Sequence, residues 1–114
     1  MAKVFGMHAL ELKPDVNIKE FEGFVTAEVF PLYRKVPGQT IHLLKGDQGK
    51  RDAKYMIFIE IESPMRRDQI YPAEGGVSEE VQKILGNTDA IWDKFMSFVV
   101  EFPDPNYTDY VIVD

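Results

Sequence analysis

The chain has 114 residues, no cysteine, 13 Lys+Arg and 19 Asp+Glu, which leaves a formal net charge of −6. Its 45% hydrophobic and 28% charged residues suit one globular domain with a real core. The missing thiols exclude a disulfide scaffold and a cysteine-ligated metal site, and the negative charge argues against nucleic-acid binding, whose affinity rests on phosphate contacts.

Residues 4–12 read as a strand. Val4, Gly6, His8, Leu10 and Leu12 alternate on one face, and Phe5, Met7, Ala9 and Glu11 on the other. Pro14-Asp15 breaks it. Residues 17–36 read as a helix, because Ile18, Phe21, Val25, Val29, Leu32 and Val36 recur at three- and four-residue steps. Asn17 is placed to cap it, Glu20 to return the bond and Val16 to staple onto Phe21. Pro31 opposes the carbonyl of Ala27, so a kink or break is expected there. Pro37-Gly38 ends the segment.

A second strand over residues 39–45 leads into the polar turn Gly46-Asp47-Gln48-Gly49-Lys50-Arg51-Asp52. A third strand, residues 55–62, sets Tyr55, Ile57, Ile59 and Ile61 against Met56, Phe58, Glu60 and Glu62. Together they predict a hairpin. Ser63-Pro64 opens a short helical turn that Tyr71-Pro72 stops, and Glu74-Gly75-Gly76 is an elbow. Ser78 caps a helix carrying Val81, Ile84 and Leu85. Gly86-Asn87 interrupts it, and it resumes at Thr88 or Asp89 with Ile91, Trp92, Phe95, Met96 and Val99 on one side. Pro103-Asp104-Pro105 is a hard turn before a last strand over residues 107–113.

This order predicts a single α+β domain over residues 1–114, a ferredoxin-like βαββαβ unit. Its four-stranded antiparallel sheet is expected in the order four-one-three-two, with the helices on one face. No stretch reaches the roughly 20 apolar residues of a spanning helix. Residues 1–13 hold no sustained apolar run and no small-residue cleavage pattern. The expectation is a soluble cytoplasmic protein with no membrane and no nucleic-acid partner. Asn106-Tyr107-Thr108 matches a glycosylation triplet, which matters only in a secreted chain.

Two helices cover one face of such a sheet. The other face carries Phe5, Met7, Ala9, Met56 and Phe58, fringed by Glu11, Glu60 and Glu62. A patch of that size suits no quiet monomer. Burying it at about 25 cal/mol per Å² favours association by several kcal/mol before entropy is charged. A two-fold homodimer, sheet on sheet, answers this economically; the alternative is that residues 63–76 fold over the patch.

The end of the first helix, Phe30-Pro31 and Pro37-Gly38, resembles the dimeric α+β barrel superfamily. So do the turn Gly46-Asp47-Gln48-Gly49 and the stretch Glu60-Ile61-Glu62-Ser63, Arg67-Asp68 and Tyr71-Pro72, and the element order extends this over nearly the whole chain. That group includes cofactor-independent antibiotic-biosynthesis monooxygenases, ethyl-tert-butyl-ether-degradation-type proteins, stress-responsive barrel proteins and NIPSNAP-like proteins. The resemblance implies the fold and the dimer. Its members range from oxygenases and haem degraders to proteins with no known reaction, and no catalytic set of theirs maps onto these residues.

His8, mid-strand on the helix side, is the candidate general base, since its reference pKa is near neutral and burial without an acid partner would keep it uncharged. A plain core histidine is the other reading. His42 lies on the second strand, on a face that the sequence leaves open. Two histidines on separate strands do not make a metal site, so neither metal nor cofactor is expected. Tyr33, Tyr55 and Trp92, with Phe21 and Phe95, form an aromatic set that could line a pocket for a flat molecule or simply fill the core. Lys50-Arg51 and Arg66-Arg67 are basic clusters beside Asp52 and Asp68, which suits solvated surface pairs. Glu60 and Glu62 sit about 7 Å apart on one strand face, as an acid/base pair or a solvated rim. There is no phosphate-cradling glycine loop and no nucleophile elbow. Two functions follow. One is a cofactor-independent oxygenase or isomerase acting on a small planar molecule; the other is a non-catalytic small-ligand-binding or structural dimer. A pocket reaching His8 supports the first, and a filled helix–sheet interface supports the second.

Overall fold

The computed structural model describes residues 2–50 and 54–113. The alternation in the first segment becomes β1 (Val4–Leu10), with Val4, Gly6 and Leu10 buried on the inner side. Beyond it, Leu12 bridges Val99, and the Val100 N–H donates to the Glu11 carbonyl at 2.8 Å.

The first helix, α1, spans residues 18–33 in three pieces: α-helical Ile18–Phe24, a π turn over Val25–Val29, and α-helical Phe30–Tyr33. Asn17 caps it by accepting the Glu20 N–H at 3.0 Å. Pro31 has no N–H and its ring crowds the carbonyl four residues back. The helix answers with a wider turn just before it, in which the Phe30 N–H donates to the Val25 carbonyl, five residues back. The expected break at Pro31 is thus a π turn that keeps Phe21, Phe24, Val25, Val29, Phe30 and Tyr33 all buried.

The hairpin strands are β2 (Gln39–Lys45) and β3 (Tyr55–Ile61). Three helices then follow where a ferredoxin-like unit has one: α2 (Pro64–Ile70), α3 (Glu79–Leu85) and α4 (Asp89–Phe98). The chain closes with β4 (Thr108–Val111). The order is therefore β-α-β-β-α-α-α-β, which corrects the βαββαβ expectation. Local chemistry cuts the second crossover. Ser63 and Ser78 each start a new helix by accepting an N–H three residues on. Gly86, at φ +72°, turns the chain out of the helical region between α3 and α4.

The sheet is four-stranded and antiparallel in the order β2-β3-β1-β4, the arrangement expected. Its register pairs Val4 with Ile61 and Leu10 with Tyr55, and Ile41 with Ile59. These inner residues pack with Phe21, Val25, Ile70, Val81 and Phe95 into one core. Gly6 leaves room for the β4 side chain beside it: a Cβ there would lie 2.9 Å from Asp109 Oδ1 and would displace that carboxylate. No helix among the described residues is long and apolar enough to cross a membrane.

Candidate functional site

His8 projects from the inner face of β1, opposite Ile57. Its ring lies on Tyr107, 4.9 Å between centres and 3° from parallel, with Phe102 at 5.6 Å. The Nδ1 atom is buried and has no hydrogen-bond partner among the described residues. Burial lowers the imidazole pKa from its ordinary value, and the nearby Asp104 and Asp109 carboxylates oppose that shift only in part. Asp104 is a clasp for the segment before β4. It accepts the backbone N–H groups of Asn106 and Ala9, both at 2.9 Å. These bonds hold its carboxyl below the usual range.

The predicted aromatic set comes together. Centre-to-centre contacts run from Tyr55 to Phe21 (5.3 Å), to Phe95 (6.5 Å), to Trp92 (5.3 Å) and to Tyr33 (6.1 Å). Phe102 joins the chain to His8, lying 5.5 Å from Trp92 and 5.2 Å from Phe95. The hydroxyls are engaged. Trp92 Nε1 donates to Tyr33 Oη at 2.9 Å, and Tyr55 Oη donates to the Glu22 carboxylate. Burial, together with that carboxylate, pushes the Tyr55 phenol up to about 12. A second polar chain crosses the core: Tyr71 Oη donates to Gln39 Oε1 at 3.0 Å, and Gln39 Nε2 to the Tyr33 carbonyl at 3.1 Å. The Tyr71 phenol is likewise pushed up by burial to about 12.

Of the candidates, His8, Tyr33, Tyr55 and Trp92 belong to this one cluster. His42 does not. It stands on the outer face of β2, opposite Phe58, with ring centres 6.4 Å apart. Phe102 and Tyr107, missed in the sequence, complete the cluster. Their only local signal is that aromatic residues flank the double-proline turn. Two cavities open beside the cluster, and Tyr55 lines both, whereas His8, Tyr33 and Trp92 line neither.

The larger cavity, about 910 Å³, is an open groove across one end of the outer sheet face. Its floor is the row Leu44, Met56 and Ala9, with Met7 beside it. Tyr55 reaches its rim from the inner side. Above the groove, Phe5 stacks on Phe58 at 5.7 Å. Residues 63–76 do not cover this face: Tyr71 binds Gln39 and Arg67 binds Asp109, both on the inner side.

The charged candidates serve the fold. Arg66 is only 13% exposed and ties three segments, donating to the Pro37 carbonyl at 3.0 Å and to Glu80 at 2.9 Å. Arg67 pairs with Asp68 at 3.1 Å and Asp109 at 3.4 Å. Arg51 and Asp52 lie outside the described residues. Glu60 accepts from Lys3 at 3.2 Å and from the Thr40 hydroxyl at 3.3 Å, as a rim carboxylate does. Among the described residues no three His, Asp or Glu side chains gather as metal ligands would. Compared with known proteins, the chain matches no family model and no curated sequence.

Proposed function

We propose that the chain works in the cytoplasm as a homodimer of the dimeric α+β barrel type, built on a ferredoxin-like core, that binds a small planar organic molecule. The observation that carries this reading is the uncovered outer face. Phe5, Met7, Met56 and Phe58 remain partly exposed there, with Leu44 and Tyr110 at 43% and 52%. A contiguous apolar surface of this kind marks an association site, and the groove at its end has a volume typical of ligand sites. The packed helix–sheet interface favours binding over catalysis.

A cofactor-independent oxygenase or isomerase is the second reading, favoured by the buried, unpartnered Nδ1 of His8. A neutral imidazole held against flat rings suits a general base. Opening the strap over residues 100–107 would then admit substrate.

Light scattering after size exclusion tests the dimer. Twice the chain mass is expected, and a 13.1 kDa species that persists on concentration overturns it. Phe58→Glu should yield monomer, because the interface would bury an unpaired carboxylate. A thermal-shift screen of planar organic compounds on wild type and His8→Ala separates the two readings. Hits shared by both proteins support a ligand in the groove, and hits lost with His8 support the catalytic reading. No hit against either protein overturns the ligand.

A further inference from the structure

The sheet ends in two different edges. On β2 the Arg34 guanidinium donates to the Ile41 carbonyl at 3.1 Å and lies over the Phe30 ring, so a side chain occupies the place a further strand would take. β4 has no such cover among the described residues: all four of its residues are exposed. Here Tyr107, Tyr110, Val111, Ile112 and Val113 are each at least half exposed. Alternation along the ladders fixes which β4 groups are free. The Ile41 carbonyl faces away from β3, so the opposite residue, Ile59, bonds to β1 at Gly6, and Phe5 and Met7 turn toward β4. The Ala9 N–H, which donates to Asp104 on that side, agrees. Thr108 and Tyr110 therefore bond to β1, and Asp109 and Val111 point their N–H and C=O groups outward.

We propose that β4 pairs antiparallel with β4 of a second copy, with Asp109 opposite the partner's Val111 and a two-fold axis through Tyr110 perpendicular to the sheet. This is a second interface, apart from the face-to-face one proposed above. The outward groups of Asp109 and Val111 exchange their hydrogen bonds across the axis, and Tyr110 stands beside the partner's Tyr110. Adding β4 to a β2 edge would run on without closing, and Arg34 bars it. Chains of net charge −6 meet best where little charge lies. Residues 108–113 hold only Asp109, which Arg67 already engages at 3.4 Å. A register centred on Asp109 would set that carboxylate against its own copy, and one centred on Val111 would rely on residues 112 and 113, beyond the strand. Centring on Tyr110 avoids both. The axis also fits the face-to-face dimer. Edge pairing keeps both outer faces on one side of an eight-stranded sheet, and its axis is perpendicular to any axis lying between two stacked sheets. Two face-to-face dimers can then join through two edges at once and close as a tetramer. A single edge of so few residues is too small to hold a pair at micromolar concentration by itself.

With no native cysteine, a disulfide reads this contact directly. Opposed residues of a non-hydrogen-bonded antiparallel pair stand about 4.5 Å apart at Cα, within disulfide reach. On oxidation Tyr110→Cys should therefore couple to itself about tenfold faster than Val111→Cys, although the two positions are equally exposed, at 52% and 50%. The preference should persist in a Phe58→Glu background, which lacks the face-to-face dimer. In light scattering at the highest reachable concentration, wild type should rise from twice toward four times the chain mass. Val111→Pro, which removes an outward N–H, and Val111→Glu, which meets the partner's Asp109, should stay at twice. Equal coupling at the two cysteine positions overturns the edge pairing and leaves β4 to a strand of another protein. So does a wild-type dimer that never gains mass, or a gain that survives both Val111 variants. A wild type that never exceeds one chain mass while Tyr110→Cys keeps its preference overturns the face-to-face dimer alone.

Discussion

The imidazole of His8 and the phenol ring of Tyr107 lie 3° from parallel with 4.9 Å between their centres. The contact joins the middle of β1 to the segment that enters β4, two strands adjacent in the sheet but at opposite ends of the chain. One face of the imidazole is thereby taken from water, and Phe102 packs against it as well.

A pH dependence follows. Burial makes folded His8 bind its proton less readily than an unfolded histidine near 6.5. Below that pH the unfolded chain takes up more protons. The His8 contribution to stability is therefore full above 6.5 and is lost as the pH falls toward the folded value. Denaturant melts at stepped pH should show this slope, and His8→Phe, which keeps a flat ring on Tyr107, should remove it. An NMR titration of His8 at or above 6.5 would contradict the burial argument.

Trp92 is the sole tryptophan and reports on its own hydrogen bond. Tyr33→Phe leaves the indole N–H without its acceptor in a largely buried place. The expected loss is about 1–2 kcal/mol, accompanied by a shift in the tryptophan emission. Unchanged emission and unchanged stability would show that the bond carries nothing.

Hydrogen exchange should divide α1 at its π turn. Amides in residues 27–33 are expected to exchange faster than those in residues 21–25, because the wider turn and the missing Pro31 N–H weaken the ladder. Uniform protection would refute this.

Gly38 stands at φ +89°, and a Cβ there would lie 2.8 Å from the Arg66 side chain. Gly38→Ala should cost about 1–3 kcal/mol through backbone strain alone. It should also push Arg66 from the Pro37 carbonyl and Glu80. Calorimetry checks the first effect, and faster proteolysis around α2 and α3 checks the second.

The strand alternation in residues 4–12 and 55–62 was legible because period two sorts side chains onto faces without any tertiary information. The capping serines and Gly86 were legible too, since capping is local. His42 was not placed, because residues 39–45 alternate apolar and polar ambiguously. Only pairing with β3 puts Gln39 and Ile41 inward and His42 outward. Gln39 is buried because Tyr71, 32 residues on, satisfies its amide. The aromatic set was foreseen as facing surfaces, yet its link to His8 through Phe102 was not. That contact spans most of the chain, and nothing near Phe102 in the sequence announces it.

The π turn in α1 also fixes the length of that helix. It holds one residue more than an ordinary turn, with the Phe30 N–H, directly before Pro31, reaching back five residues to the Val25 carbonyl. The two features depend on each other. Removing Ala27 would return the turn to plain α spacing and set a carbonyl four residues before the proline, where its ring crowds it. Shortening this helix by one residue at position 27 is therefore expected to be better tolerated after Pro31→Ala than in the wild-type chain.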